Sequence, residues 1–360
     1  MKVIINTRDL VYRGGVVNFY KVLNLNSYDF IDYFYYSKPK KKKIFFLFKK
    51  YFEFFIKIKS YDIVHLNPSL TKTAIWRDLL FLLIAKLKKK KVVVFIHGWD
   101  YNLENIIINS RLYKNIFSIY NNVDAFFISG TIFKTKLTRM GIDKNKLFFL
   151  ETMIADDKYI NDFSLEERIR NFSESSRMIR FLFLSRITKG KGMQLAIDIF
   201  NIIQTKYNRK MELVIAGDGD KLEETKEYVK QKNINNVIFK GYIMDEEKHN
   251  VLKLCDITLF PTMYGEGIPN TILEGMLYGM PIISRINAGI PDWVKNGENG
   301  FIISSINPND FVPFIESLLN NPKLYEKISR NNHELAKKTF TKDVISKRFL
   351  KHYQEVFDAQ

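Results

Sequence analysis

Glu266 and Glu274 stand eight positions apart in the stretch YGEGIPNTILEG, on either side of a Gly-Ile-Pro-Asn turn. Pro269 suits the first position of a helix. Glu266 then belongs to the loop before that helix, and Glu274 lies about one and a half turns into it, roughly 8 Å along the axis. This separation suits two parts of one elongated ligand better than two groups sharing a proton. The helix start at Pro269–Thr271, with the N–H groups of Asn270 and Thr271, would point at an anion between the carboxylates. The alternative is a loop acid favoured by the helix dipole and an ordinary helical glutamate.

Two further stretches offer the missing positive charge and close backbone approach. In SRITKGKGM (185–193), Arg186 and Lys191 leave a glycine-containing loop just before a helix expected at 194–203. Amide groups, helix dipole and both cations would favour a diphosphate there; the competing reading is a solvated basic turn. In VIAGDGD (214–220), Gly217 and Gly219 allow a tight turn beside a ligand. Asp218 and Asp220 are read as turn and cap residues rather than metal ligands, so no metal site is expected.

These loops follow strand-like runs. In the first half such runs lie at 3–6, 30–36, 62–67, 92–97, 125–129 and 147–150; in the second at 179–185, 211–217, 236–241, 256–261, 280–284 and 299–303. Several are continuously apolar, as expected where helices cover both faces of a parallel sheet. Helical periods fill most gaps, and the last forty or so residues read as helix. The polar segment EERIRNFSESSR (166–177) is the expected linker. Two alternating α/β halves imply two doubly wound, Rossmann-like domains facing a cleft, at 1–165 and 178–340, with 341–360 as a closing helix that returns to the first domain.

At 360 residues, 46% apolar and 26% charged, the chain has globular composition and room for two cores. Up to position 157 it holds 27 basic against 13 acidic residues, so +14 of the net +17 belongs to the first half. The lysines flank apolar helical stretches instead of interleaving with stacking aromatics, which speaks against nucleic acid. In KPKKKKIFFLFKKYFEFFIKIK (38–59), Lys49, Lys50, Glu53 and Lys57 recur at helical spacing and leave a Phe-rich face. That face belongs either to the core or to an anionic membrane surface. The most hydrophobic helical stretch, 74–87, is interrupted by Arg77, Asp78 and Lys86, so no transmembrane span is expected. The single Cys255 and an N-terminus without a leader pattern fit a cytoplasmic chain, peripheral on the inner face of the membrane.

The order Arg-x4-Lys-Gly, Gly-Asp-Gly, Glu-x7-Glu and PIISRINAGIPDWVKNGENGFII resembles the donor half of the family 4 glycosyltransferases, over about residues 180–305. The resemblance implies the GT-B fold and transfer of a sugar, with retention of configuration, from a UDP- or GDP-linked donor to a glycan or lipid-linked acceptor. It implies no obligatory metal and no resident cofactor. It assigns Arg186 and Lys191 to the diphosphate, Glu274 to the ribose hydroxyls and Glu266 to the transferred sugar. Gly217 and the Gly267, Ile268, Pro269, Asn270, Thr271 run line the donor, with Tyr242 or Ile243 near the base. In the first half, Gly14 and Gly15 of YRGGVVNFY match the family's glycine loop, and His97 of FIHGWD matches a strand-end histidine that meets donor sugar or acceptor. At 151–156 the chain reads ETMIAD where many relatives carry an Asn-Gly turn. An epimerase or phosphorylase of similar fold, and a non-catalytic nucleotide-sugar or glycolipid binder, are the competing functions.

Overall fold

The computed structural model describes residues 1–12, 14–37, 43–265 and 267–359, so Glu266 and positions 38–42 of the basic segment lie outside the described residues. The chain divides into two compact units. The first holds Met1–Ile154, Gly265–Gly267 and Lys342–Gln360; the second holds Ala155–Tyr264 and Ile268–Thr341.

The first unit carries β1 (Val3–Thr7), β2 (Ile31–Tyr35), β3 (Ile63–Leu66), β4 (Lys91–Phe95), β5 (Ala125–Ile128) and β6 (Leu147–Leu150). They form one parallel sheet in the order β2-β1-β3-β4-β5-β6. The second unit carries β7 (Ile179–Leu184), β8 (Met211–Ala216), β9 (Val237–Gly241), β10 (Ile257–Phe260), β11 (Ile282–Arg285) and β12 (Gly300–Ile303). Its parallel order is β12-β11-β10-β7-β8-β9. Each strand coincides with an apolar run expected from the sequence. The reason is local: β-branched and aromatic runs such as VVVF and AFFI tolerate burial on both faces, where a helix-covered parallel sheet puts them.

Strand order decides where ligands can enter. In the second sheet the chain adds β8 and β9 on one side of β7, then β10, β11 and β12 on the other. The loops leaving β7 and β10 therefore lead to crossovers on opposite faces, and the carboxyl end of the sheet at this reversal is where such folds take their ligands. In the first sheet the same reversal falls between β1 and β3.

The expected linker at 166–177 is overturned. Leu165–Ser173 is a helix of the second unit, and the chain passes between the units at Ile154 and Ala155 rather than near 165–178. Ser164 caps the helix by accepting from the Glu167 amide at 3.2 Å. Ile169 and Phe172 are buried, and Phe172 stacks on Tyr325 with ring centroids 3.4 Å apart. Buried Arg168 donates to the carbonyls of Leu252, Lys253 and Cys255. The segment looked like a linker because only Leu165, Ile169 and Phe172 are apolar; at spacings of four and three they form one narrow helical stripe.

The closing helix, Lys342–Asp358, belongs to the first unit, where Ile345, Phe349, Tyr353 and Val356 join a core with Val3, Phe19, Val93 and Phe127. Phe349 is fully buried, edge-on to Phe127 at 5.0 Å and stacked against His65 at 6.0 Å. Phe349→Ala should therefore cost about 3–5 kcal/mol. Chemical denaturation followed by a first-unit probe checks this; a wild-type midpoint would mean the helix is dispensable to that core.

Candidate functional site

In the second unit the loop leaving β7 runs from Ser185 to Gly192 and enters the Met193–Lys206 helix. The loop leaving β10 runs from Pro261 to Pro269 and enters the Asn270–Leu277 helix. The two loops interlock. The Met263 amide donates to the Gly190 carbonyl at 2.8 Å, and the Thr271 hydroxyl donates to the Leu184 carbonyl. Gly192, at φ +80°, leaves no room for a Cβ, which would collide with the Pro261 carbonyl. Gly217, at φ +146°, is excluded from any larger residue by the Ser185 carbonyl. Backbone therefore packs on backbone where these loops meet.

Lys191 is 5% exposed and holds its ammonium 4.4 Å from the Tyr264 ring centroid, while Arg186 is exposed. Pro269 stands at the N-cap (φ −64°, ψ 139°), one residue before its expected place, and the helix opens on Asn270 and Thr271. The second unit thus brings Arg186, Lys191 and this helix start to the two loops that part at the β7/β10 reversal. Such a grouping can hold a diphosphate by charge, amide donation and helix dipole together.

Glu274 is 4% exposed, which an unpaired carboxylate would not tolerate. Its partner is Lys248, on the Asp245–Leu254 helix, with Nζ 2.8 Å from Oε1. The same ammonium lies 3.3 Å from Asp156, and His249 Nε2 lies 3.4 Å from that carboxylate. His249 Nδ1 meets the Tyr278 hydroxyl at 2.6 Å. Burial acts to raise the Asp156 carboxyl, but the His249 contact and the Lys248 charge outweigh it and hold the group well below the usual carboxylate range. Burial likewise acts to lower Lys248, and Glu274 and Asp156 overcome it, leaving the ammonium more basic than usual. Sequence reasoning missed Lys248 and Asp156. The only signal was a lysine three and four positions before Val251 and Leu252, hence on an apolar helix face.

Lys248→Met should strand the buried Glu274 carboxylate, take the nearest ammonium from partly exposed Asp156, and cost about 3–5 kcal/mol. Asp156 would keep the His249 contact but lose the Lys248 charge, so its depression, and the stability that comes with it, shrinks. The deficit against the wild type should therefore narrow as pH falls below about 4, where that contribution is lost in the wild type as well. In the wild type, Asp156 is depressed and its contribution persists until pH falls below about 4. Denaturation midpoints across pH test this; a pH-independent deficit would exclude the charge explanation.

Other expected residues fall less uniformly. Tyr242 is 48% exposed just beyond β9, whereas Ile243 is buried, so of the two only the tyrosine presents a ring at the surface. Asp218 accepts from the Gly219 amide at 2.7 Å as a turn residue. Among the described residues no cluster of three or more His, Cys, Asp or Glu could hold a metal ion. Ile268 is buried in the second unit, while Gly267 belongs to the first, where a Cβ would collide with Ser129.

The first unit has its own polar group at the β1/β3 reversal. Asn67, just after β3, accepts from the Tyr20 hydroxyl at 2.5 Å and from His97 Nε2 at 2.9 Å, and donates to the Asn6 carbonyl at 3.2 Å. Since Nε2 donates, Nδ1 of His97 is the acceptor nitrogen. Burial pushes this imidazole down to about 3, so it is neutral at ordinary pH. Nδ1, both amide atoms of Asn6 and the Thr7 hydroxyl are buried with no hydrogen-bond partner among the described residues. Gly14 and Gly15 open the following helix, Gly15–Leu23, and a Cβ on either would meet only open space. Buried polar atoms left unmatched at the carboxyl end of a parallel sheet suit a hydroxyl-rich ligand.

Comparison with known proteins adds independent findings. Residues 166–335 match the model of the family described as glycosyl transferases group 1. MJ1069, an uncharacterized glycosyltransferase of Methanocaldococcus jannaschii, is 26% identical over 80% of this chain and 74% of its own. The O-antigen chain mannosyltransferase C of Escherichia coli is 25% identical over 54% of this chain and 51% of its own. The crystal structure of Anabaena HepE in complex with UDP-glucose shares the fold, with a TM-score of 0.74 at 15% identity over 99% of this chain and 100% of that one.

Proposed function

We propose that this chain, whose residues 166–335 match the group 1 glycosyl transferases, moves a sugar, with retention, from a nucleoside-diphosphate sugar to a glycan or lipid-linked acceptor in surface-polysaccharide synthesis. The observation carrying the donor assignment is the interlock of the β7 and β10 loops, which gathers Arg186, Lys191 and the Asn270 helix start. As the glycosidic bond to the donor breaks, negative charge grows on the leaving diphosphate, and these groups stabilise it where it develops. Glu274, oriented by Lys248, accepts hydrogen bonds from the ribose. Glu266 precedes the helix by four positions and would meet the hydroxyls of the transferred sugar. The neutral His97 and its unmatched neighbours Asn6 and Thr7 offer hydrogen bonds to sugar hydroxyls. The cations already supply the charge that a divalent ion would, so the reaction proceeds without a resident metal or cofactor.

The E. coli relative, named for the O-antigen chain, supports a cell-surface glycan as the product. Among the described residues no helix is long and apolar enough to cross a membrane. Attachment to an anionic membrane surface on its cytoplasmic side, through residues 38–59, belongs to the same proposal. It is supported by the basic first half of the chain and by exposed Phe48, Phe52 and Ile56 on the Lys43–Lys57 helix.

Transfer of label from UDP- and GDP-sugars to acceptor tests the assignment. Arg186→Ala and Glu274→Ala should each lower kcat/KM at least about a hundredfold while the fold survives, and a chelator should leave wild-type activity intact. Full activity in either variant overturns the site. Nucleoside diphosphate released only when acceptor is present separates transfer from epimerisation and from simple binding.

A further inference from the structure

The Lys72–Leu87 helix carries more apolar surface than the fold consumes. One face buries Ala74, Ile75, Leu79, Phe81, Leu82 and Ala85. The other presents Trp76, Leu80, Leu83 and Leu87, spaced four, three and four residues apart, at 45, 45, 44 and 74% exposure. A helix apolar on all sides ordinarily lies in a core or in lipid. Beside it, the Lys43–Lys57 helix repeats the pattern with Phe48, Phe52 and Ile56, each four residues from the next and 67, 66 and 50% exposed. Single exposed hydrophobics are ordinary, but contiguous stripes on neighbouring helices are not.

The two stripes point the same way. The Tyr51 hydroxyl donates to the Arg77 carbonyl at 3.2 Å, the Tyr51 ring lies 4.6 Å from Phe81, and Lys88 sits 3.7 Å from the Phe55 ring centroid. Phe54 and Phe81 both pack against Phe34 of β2, so both helices cover one face of the sheet. At about 100° per residue, Phe52, Ile56 and Leu83 lie on the far side of their helices from Phe54 and Phe81.

Charge identifies the occupant. Lys49, Lys57, Lys59, Lys72 and Lys89 are exposed on or beside these helices. The only acids within the two helices, Glu53 and Asp78, are already paired with Lys50 and Arg77. Two copies meeting on this face would press lysine against lysine. An anionic bilayer matches both features at once, taking apolar side chains at its interface while phosphates meet the ammonium groups.

We propose that the Lys43–Lys57 and Lys72–Leu87 helices together form one lipid-contact face, lying in the plane of an anionic membrane with Trp76, Leu80 and Leu83 inserted. This rests on the membrane attachment proposed above and extends it to a second helix that residues 38–59 do not include.

The full-length protein is mixed with vesicles of phosphatidylcholine alone, or of phosphatidylcholine with phosphatidylglycerol, and sedimented. Tryptophan fluorescence of the wild type and of Trp76→Phe is followed with brominated acyl chains and with an aqueous quencher, and the difference between the two is assigned to Trp76, since Trp99 and Trp293 are common to both. Expected are binding to the anionic vesicles, quenching of Trp76 by the bromolipid, and binding weakened about tenfold or more by Leu80→Ser with Leu83→Ser. Leu112→Ser, an exposed leucine elsewhere in the first unit, should bind as wild type, and all variants should keep wild-type thermal midpoints and activity on a soluble acceptor. Vesicle binding that survives Leu80→Ser with Leu83→Ser, or a Trp76 that stays open to the aqueous quencher, overturns the second helix while leaving attachment through 38–59 standing. No vesicle binding by the wild type overturns both. A dimer dissolved by the same substitutions, without vesicle binding, assigns the face to self-association and also overturns the proposal.

Discussion

An all-parallel sheet has no hairpins, so each strand must hand the chain to a crossover that climbs back over one face. Where strand order reverses, two successive crossovers go to opposite faces and their loops separate. Everything chemical in the second unit depends on that separation between β7 and β10. It places a basic glycine loop and a helix start at the same end of the sheet. The close backbone approaches at Gly192 and Gly217 then hold the loops against each other, where a single added Cβ would force them apart. The first unit obeys the same rule between β1 and β3, and its unmatched polar atoms lie at the corresponding end.

Charge is handled in two ways in the second unit. Arg186 stays exposed, so its charge keeps its hydration. Glu274 is buried, and burial of an ion costs several kcal/mol unless it is closely paired. Lys248 supplies that pairing and is itself balanced by a second carboxylate, Asp156. The result is a carboxylate with one oxygen committed to the lysine and a fixed orientation. A flexible surface glutamate would keep far more rotamer freedom. Asp156 lies within ETMIAD, at the crossing into the second unit, so the chain's departure from the family pattern is also the place that supports the pair.

The first unit spends its hydrophobic residues differently. Its sheet, its first helix and the closing helix bury a dense aromatic core around Phe19, Phe127 and Phe349. Two helices on one face of that sheet keep an apolar exterior rimmed by lysine. Apolar surface left in water forgoes the stabilisation that burial brings, so the fold itself gains nothing from such an exterior.

Much of this was legible in the residues. All strands were visible as apolar runs, because a buried parallel strand needs nothing beyond local side-chain character. Arg186, Lys191 and Glu274 stood out because glycine, proline and charge at fixed spacing leave few backbone options. The helix at Leu165–Ser173 was misread as a linker, since its apolar stripe is only three residues wide and the contacts that bury it come from elsewhere in the unit. The pairing of Lys248 with Glu274 and Asp156, and the unmatched atoms of Asn6 and His97 Nδ1, were invisible, because pairing and desolvation are properties of neighbours distant in sequence. Composition and spacing by themselves determined two doubly wound sheets and the place of Arg186, Lys191 and Glu274 on the loops and helix that follow β7 and β10. Only the tertiary structure decided which charges are buried in pairs and which apolar faces stay uncovered, since burial is set by what packs on a side chain and not by its identity.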